Sequence, residues 1–340
     1  MQYNSSRLVF KLSSKDFKQL YGKMCSAKET VISEKDIGMD LNGKESAMVD
    51  VIASFISHTS IRLPDDVIAK LEEMRASETE ERALQIYDLM FENMRLAQEL
   101  KRPTCQDTGV LQFFVRCGSN FPYMGSLEEV LKASVLKATK DTPLRYNVVE
   151  TFSEYNTGNN TGSGVPFIMW EILPGRDDCE IYTYMAGGGC SLPGQSTVLM
   201  PSEGYPAAVK FVMDRITTYG LNACPPLLVG VGIGATSETA ALNAKHAVLR
   251  PIGSHNENER AAELEKMLEE SINAVGFGPQ GMGGKRSVMG VNVVNTARHP
   301  ATLAVAVTVG CWSHRRGRLV FDKDLNYRSL THSKFDGGAL

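Results

Sequence analysis

The sequence predicts an α+β protein, with a helical N-terminal region followed by mixed β-sheets flanked by helices, in one compact body. Three observations carry this. Apolar residues recur three and four apart from Glu45 to Lys101, which is the helical period. Beyond Pro103, short apolar and β-branched runs mix with helical stretches without forming a clear strand–helix–strand unit. No internal repeat, low-complexity tract or linker-like composition divides the chain.

The elements follow in order. Within the helical opening, Ser77 to Glu80 carries a capping-box pattern ahead of Ala83, Leu84, Ile86, Tyr87 and Met90. Pro103 stops the helix. The polar turn Thr104-Cys105-Gln106-Asp107-Thr108-Gly109 then leads into a strand over 111–115. Ser126-Leu-Glu-Glu129 repeats the capping pattern for a helix to about Lys140. Strands are expected over 147–152, 167–172, 180–185, 227–233, 287–294 and 303–309, and helices over 204–219, 237–249 and 259–275. The loops 156–164 and 186–190 are rich in glycine and short polar residues; they serve either as surface turns or as places where backbone amides approach a bound group. A lobe boundary is placed near residue 102 of a body running over 46–335, with 1–45 an extension of unknown role.

Composition narrows the function. With 43% apolar and 22% charged residues the chain is an ordinary globular protein. A net charge of −3 is too near neutral for a protein that grips nucleic-acid phosphates. The longest apolar stretches, 227–235 and 303–310, fall short of the roughly 18 residues of a membrane-spanning helix. Arg7, Lys11, Lys15 and four serines precede the first acid, Asp16, but no apolar core follows, so no secretory signal is expected and a transit-like role is the lesser alternative. Seven scattered cysteines, an odd number, point to a reducing, cytoplasmic setting with metal binding or catalysis as the alternatives to disulfides.

Gly230-Val-Gly232-Ile-Gly-Ala235 fits a dinucleotide fingerprint loosely, but the ribose-binding acid about twenty residues on is replaced by Arg250 and Pro251, so a tight strand-to-helix turn is the better reading. The six histidines are too dispersed for a zinc motif, and no nucleophile elbow marks a hydrolase. Three cysteines stand at polar or Gly/Pro-rich breaks: Cys105 after Arg-Pro-Thr, Cys224 before Pro-Pro, and Cys311 before Trp-Ser-His-Arg-Arg-Gly317. They are either a shared metal site assembled by the fold or three small buried residues.

Seven motifs, in order, resemble the class I iron–sulfur fumarase and tartrate dehydratase family: Cys105-Gln-Asp-Thr-Gly109, Asn156-Thr-Gly-Asn-Asn160, Gly187-Gly-Gly189, Cys224-Pro-Pro226, Gly278-Pro-Gln-Gly281, Arg298-His-Pro300 and Gly310-Cys-Trp312. The loops 186–194 and 310–317 resemble the alpha subunits of the tartrate-dehydrating branch, whereas fumarases tend to have serine where Cys190 stands. The resemblance implies a 4Fe-4S cluster with one open iron, held by Cys105, Cys224 and Cys311. It implies Gln106, Arg145 and Gly188 as substrate contacts, with Arg145 offering a fork for a carboxylate, and Asp107 and His299 as catalytic proton carriers. Cys117 and Cys179 are read as structural, Cys25 precedes the matched region, and Cys190 stands close to the cluster without an assigned role. Arg315 and Arg316 read either as a solvated basic turn or as positive potential toward an anionic substrate.

The expected activity is dehydration of L(+)-tartrate to oxaloacetate, with fumarate/malate hydration as the close alternative and a non-catalytic cluster-binding module as the competing class. Single-chain members of the resembled family continue into a domain that supplies the carbon base. A separate beta subunit is therefore expected to complete the pocket for a small dicarboxylate, in a dimer of heterodimers, with no nucleic-acid or membrane partner.

Overall fold

The computed structural model describes residues 41–335 and 337–339. The expected α+β architecture is present as two mixed sheets with helices packed on them. Cys25 and the basic stretch around Arg7, Lys11 and Lys15 lie outside the described residues.

The helical opening consists of three helices, α1 (Gly43–Ile61), α2 (Asp65–Ser77) and α3 (Glu81–Leu100). Asn42 caps α1 in a reciprocal box with Glu45. Pro64 stands at the start of α2, where a missing N–H costs nothing. The box expected at Ser77 is not formed: Ser77 is the last residue of α2 and its hydroxyl donates to the Met74 carbonyl. Lys101, in the left-handed region at φ 51°, ends α3 before Pro103.

Strands β1 (Val110–Gly118), β2 (Phe167–Leu173), β3 (Cys179–Ala186), β8 (Arg315–Phe321), β9 (Asn326–Ser329) and β10 (Gly338–Ala339) form a sheet in the order β10-β9-β8-β3-β1-β2. Only β1 and β2 run parallel in it. Helix α1 and helix α4 (Leu127–Asp141) cover one face, burying Phe55, Ile52, Leu131 and Val135 against Phe113, Val115, Ile181 and Leu319. The stretch 147–152 expected as a strand is instead a loop, with a single bridge between Val149 and Asn156.

The second sheet has the order β4-β7-β5-β6, built from β4 (Gln195–Leu199), β5 (Leu227–Gly234), β6 (Val288–Asn295) and β7 (Leu303–Gly310). After the short helix α5 (Gly188–Ser191), helices α6 (Gly204–Tyr219) and α8 (Glu259–Val275) bury Val212, Ile216, Leu268 and Ile272 on one face. Helix α7 (Ser237–Leu249) lies on the other, and there the glycines of β5 find their purpose. A Cβ at Gly230 would fall 2.4 Å from the Ala244 carbonyl oxygen, and one at Gly232 only 1.9 Å from that of Ala240. The fingerprint-like run is a close helix-on-strand contact rather than a phosphate cradle. A third core, with Phe114, Tyr184, Leu228 and Met289, joins α2, α3 and α7 to both sheets. No helix among the described residues is long and apolar enough to cross a membrane.

Candidate functional site

The site grows from strand ends. At one end of the six-stranded sheet Val110 opposes Ala186 and Met185 opposes Arg315. The start of β1, the end of β3 and the start of β8 therefore lie side by side, and they present the loops 105–109, 187–190 and 311–314 together. In the other sheet Leu228 opposes Gly310, so Cys224, before β5, and Cys311, after β7, share one end. The short connection from β7 to β8 carries Cys311 between the two sheets, bringing three remote cysteines into one basin.

Hydrogen bonds stitch these loops together. The Thr104 and Ser313 hydroxyls lie 2.7 Å apart, tying the Cys105 loop to the Cys311 loop. The Trp312 amide donates to the Cys224 carbonyl at 3.1 Å. Cys224 itself has φ 52°, a left-handed turn residue. Thr104 is anchored from behind by its amide on the Ser60 carbonyl and by Asn93 on its own carbonyl.

The thiols interact electrostatically. Burial pushes the Cys105 thiol up, opposed by the Arg315 guanidinium. Cys224 is raised by burial and by the neighbouring Cys311 and Cys105. Cys190 and Cys311 share a hydrogen bond, which together with burial holds Cys311 well up and, against burial, draws Cys190 down. Three thiolates together repel one another, so a cationic group is what would stabilise them. Among the described residues no three His, Cys, Asp or Glu side chains are arranged to hold a single metal ion.

Asp107 is the best-held side chain of the basin. Its Oδ1 accepts from the Gly109 amide at 3.1 Å and from Asn147 Nδ2 at 3.0 Å, and its Oδ2 accepts from the Gly188 amide at 2.9 Å. A carboxylate has about four lone-pair sites, so one, on Oδ2, stays open. A Cβ at Gly187 would stand 2.5 Å from that oxygen, and one at Gly189 2.4 Å from the Asn222 carbonyl oxygen, which explains why this loop is glycine. Gln106 is exposed beside Cys105, whose sulfur lies 3.6 Å from its Oε1. Arg145 is exposed too, and its backbone is fixed to the Thr108 hydroxyl next to Asp107.

His299 is not brought to this basin within one chain. It lies between β6 and β7, at the opposite end of the four-stranded sheet from Cys224 and Cys311. The eight residues of β7 put roughly 25 Å between those ends. It is exposed there and accepts the Ala301 amide on Nδ1. That end also holds a groove of about 1060 Å³ lined by Tyr205, Ile233, Leu264, Met267 and Arg298, well away from the cysteines.

Arg315 and Arg316 do not form a solvated turn. They begin β8, and both are buried. Arg316 pairs with Asp66, and Arg315 donates to the Asp107 carbonyl at 2.7 Å. Asn147 is the neighbour of Asp107 that pattern alone passed over, its only hint being that it ends the Pro-Leu-Arg-Tyr-Asn147 run; Arg315 was singled out beside Cys311 but not as a partner of Asp107. Cys117 and Cys179 face one another across β1 and β3, buried and far along the strands from the basin.

Residues 49–320 match the fumarate hydratase (Fumerase) family. The chain belongs to that family. Among its relatives, the L(+)-tartrate dehydratase subunit alpha of Escherichia coli (strain K12) is 54% identical over 287 residues, covering 84% of this chain and 95% of the relative. The protein of the same name from Shigella sonnei (strain Ss046) matches to the same extent. A putative L(+)-tartrate dehydratase subunit alpha of Methanocaldococcus jannaschii is 36% identical over 271 residues, covering 78% of this chain and 95% of the relative. Membership in the fumarate hydratase family carries the reaction class, that of a hydro-lyase. All seven expected motifs fall inside the matched span.

Proposed function

We propose that the chain is the alpha subunit of an iron–sulfur hydro-lyase that dehydrates L(+)-tartrate to oxaloacetate. The observation that carries this is the meeting of Cys105, Cys224 and Cys311 at the adjoining ends of two sheets, with Asp107 beside them. The names of the relatives support tartrate over fumarate.

The donor set fits a cluster. Three thiols, mutually destabilising as anions, suit a polynuclear cationic group that is larger than one ion, and three rather than four protein ligands leave one iron open. When bound, the 4Fe-4S cluster supplies a Lewis acid for the departing hydroxyl. Asp107 holds or returns a proton at Oδ2, its open position, so that the hydroxyl leaves as water. The Gly188 amide and the loop around it orient Asp107, while Arg145 and Gln106, exposed on the adjoining rim, receive a substrate carboxylate. His299, remote within one chain, is given no step here.

The carbon-bound proton needs a base that we assign to a beta subunit, in a dimer of heterodimers; the words "subunit alpha" in the relatives' names support a partner. We place the protein in the reducing cytoplasm, which suits six free cysteines among the described residues.

The test is steady-state turnover of the chain co-expressed with its partner subunit and reconstituted anaerobically, against L-tartrate, D-tartrate and malate. L-tartrate is expected to turn over fastest. Faster malate turnover transfers the reading to fumarate hydration. No turnover of any of the three substrates by a cluster-loaded pair would leave only a non-catalytic cluster module, and retained turnover in Asp107→Ala would remove Asp107 from the chemistry.

A further inference from the structure

Arg315 and Arg316 are consecutive in β8, so their side chains leave opposite faces of the sheet. They meet different surroundings. Arg316 finds a carboxylate, Asp66 on α2. Arg315, only 1% exposed, finds none: its Nη2–H donates to the Asp107 carbonyl, while Nε–H and Nη1–H meet no acceptor among the described residues. The thiols its charge reaches are those of Cys105, Cys190 and Cys311. A buried guanidinium with two unmet donors and no paired carboxylate is unfavourable until something negative completes it. Three thiolates outweigh the charge of the cationic core they would hold, so the assembly as a whole is negative, and it is adjacent.

We propose that Arg315 is the counter-cation of the cysteine basin, its free Nε–H and Nη1–H donating to ligand sulfur while Nη2–H pins the Asp107 loop. This rests on the iron–sulfur reading above. Arg315 is then a positioning residue: one planar fork couples the charge of the cluster to the placement of the acid–base carboxylate. Lysine would keep the charge but lose the fork. Hydrogen bonds to sulfur and net charge both set cluster potential, and each raises it when positive charge is added.

The test uses the full-length chain as wild type, Arg315→Met and Arg315→Lys, each reconstituted anaerobically with iron and sulfide. Iron and sulfide content, midpoint potential and the rate of iron loss on exposure to oxygen are measured, with circular dichroism to verify folding. Wild type that takes up neither iron nor sulfide overturns the iron–sulfur reading itself, before any variant is compared. Given a wild-type cluster, Arg315→Met is expected to show a more negative potential and iron loss about tenfold faster, as for other residues that support metal ligands. The lysine variant should shift in the same direction by less. An Arg315→Met protein with unchanged potential and loss rate overturns the proposal. Should that variant fail to fold, Arg315→Lys decides, and its equality with wild type in both quantities overturns the role of the fork.

Discussion

Asp107 gathers donors from three separate stretches of chain: Gly109, Asn147 and Gly188. Such a carboxylate is oriented rather than free, and replacing it with asparagine should lower turnover by roughly 10² to 10⁴ while leaving iron content unchanged. Parallel iron counting and kinetics on Asp107→Asn check this. A subtler change reaches the same atom. In Gly187→Ala the added methyl would fall 2.5 Å from Oδ2, and its own backbone continues β3, so Asp107 must yield. We expect kcat to drop by at least about tenfold with little change in thermal stability; unaltered kcat would mean that Asp107 can move without consequence. At this scale the sequence was readable where function concentrates short motifs, as in Cys105-Gln-Asp-Thr-Gly109. The burial and partner of Arg315 were not readable, because that partner is the Asp107 carbonyl, 208 residues away, and an Arg-Arg pair looks the same in a strand as in a turn.

Among the elements, α7 on β5 shows why a motif needs its context. Gly230 and Gly232 face the alanines Ala240 and Ala244, and Ala304 and Ala306 of β7 complete a layer of small side chains. Alanine at Gly232 would place a carbon 1.9 Å from a helix carbonyl, which neither backbone can vacate cheaply. Gly232→Ala should cost about 1–3 kcal/mol by overpacking, read as a lower urea midpoint, and NAD or ATP should not restore it. Periodicity located the long helices and buried strands because their apolar spacing is local. Capping was less legible. Ser126 does precede α4, yet its hydroxyl bonds Glu45 and the Tyr123 carbonyl instead of the helix amides. The serine, threonine, asparagine and aspartate side chains that signal a cap have other partners as soon as the tertiary structure offers them. The same competition explains 147–152: its alternation suits a strand, but Asn147 is committed to Asp107 and Gly109, and Glu150 to the Ser163 amide.

Across the whole molecule, two buried histidines bind distant parts of the chain together. His314 lies behind the cysteine basin with Nε2 2.9 Å from the Val248 carbonyl oxygen, joining β8's approach to α7. His332 sits between Phe55 and His58 of α1 and reaches the Arg62 carbonyl at 3.1 Å, closing the C-terminal segment onto the N-terminal helices. Burial is the main cause that pushes each down to about 3 from 6.5. The sign follows from proton counting. Below pH 6.5 the unfolded chain takes up a proton at each ring while the folded chain does not, so stability is full above 6.5 and falls as pH drops toward 3. Each ring contributes at most about 1.4 kcal/mol per pH unit over that window. Between pH 6.5 and about 5.5 unfolded carboxylates are still largely ionised, so the histidines that burial holds low, His58 and His246 with these two, carry most of the slope there. His332→Gln, which keeps a donor for the Arg62 carbonyl but cannot titrate, should therefore lower that slope by at most about 1.4 kcal/mol per pH unit in urea unfolding measured at several pH values. A slope unchanged by the substitution would mean that His332 is protonated in the folded protein and that the acid sensitivity originates elsewhere.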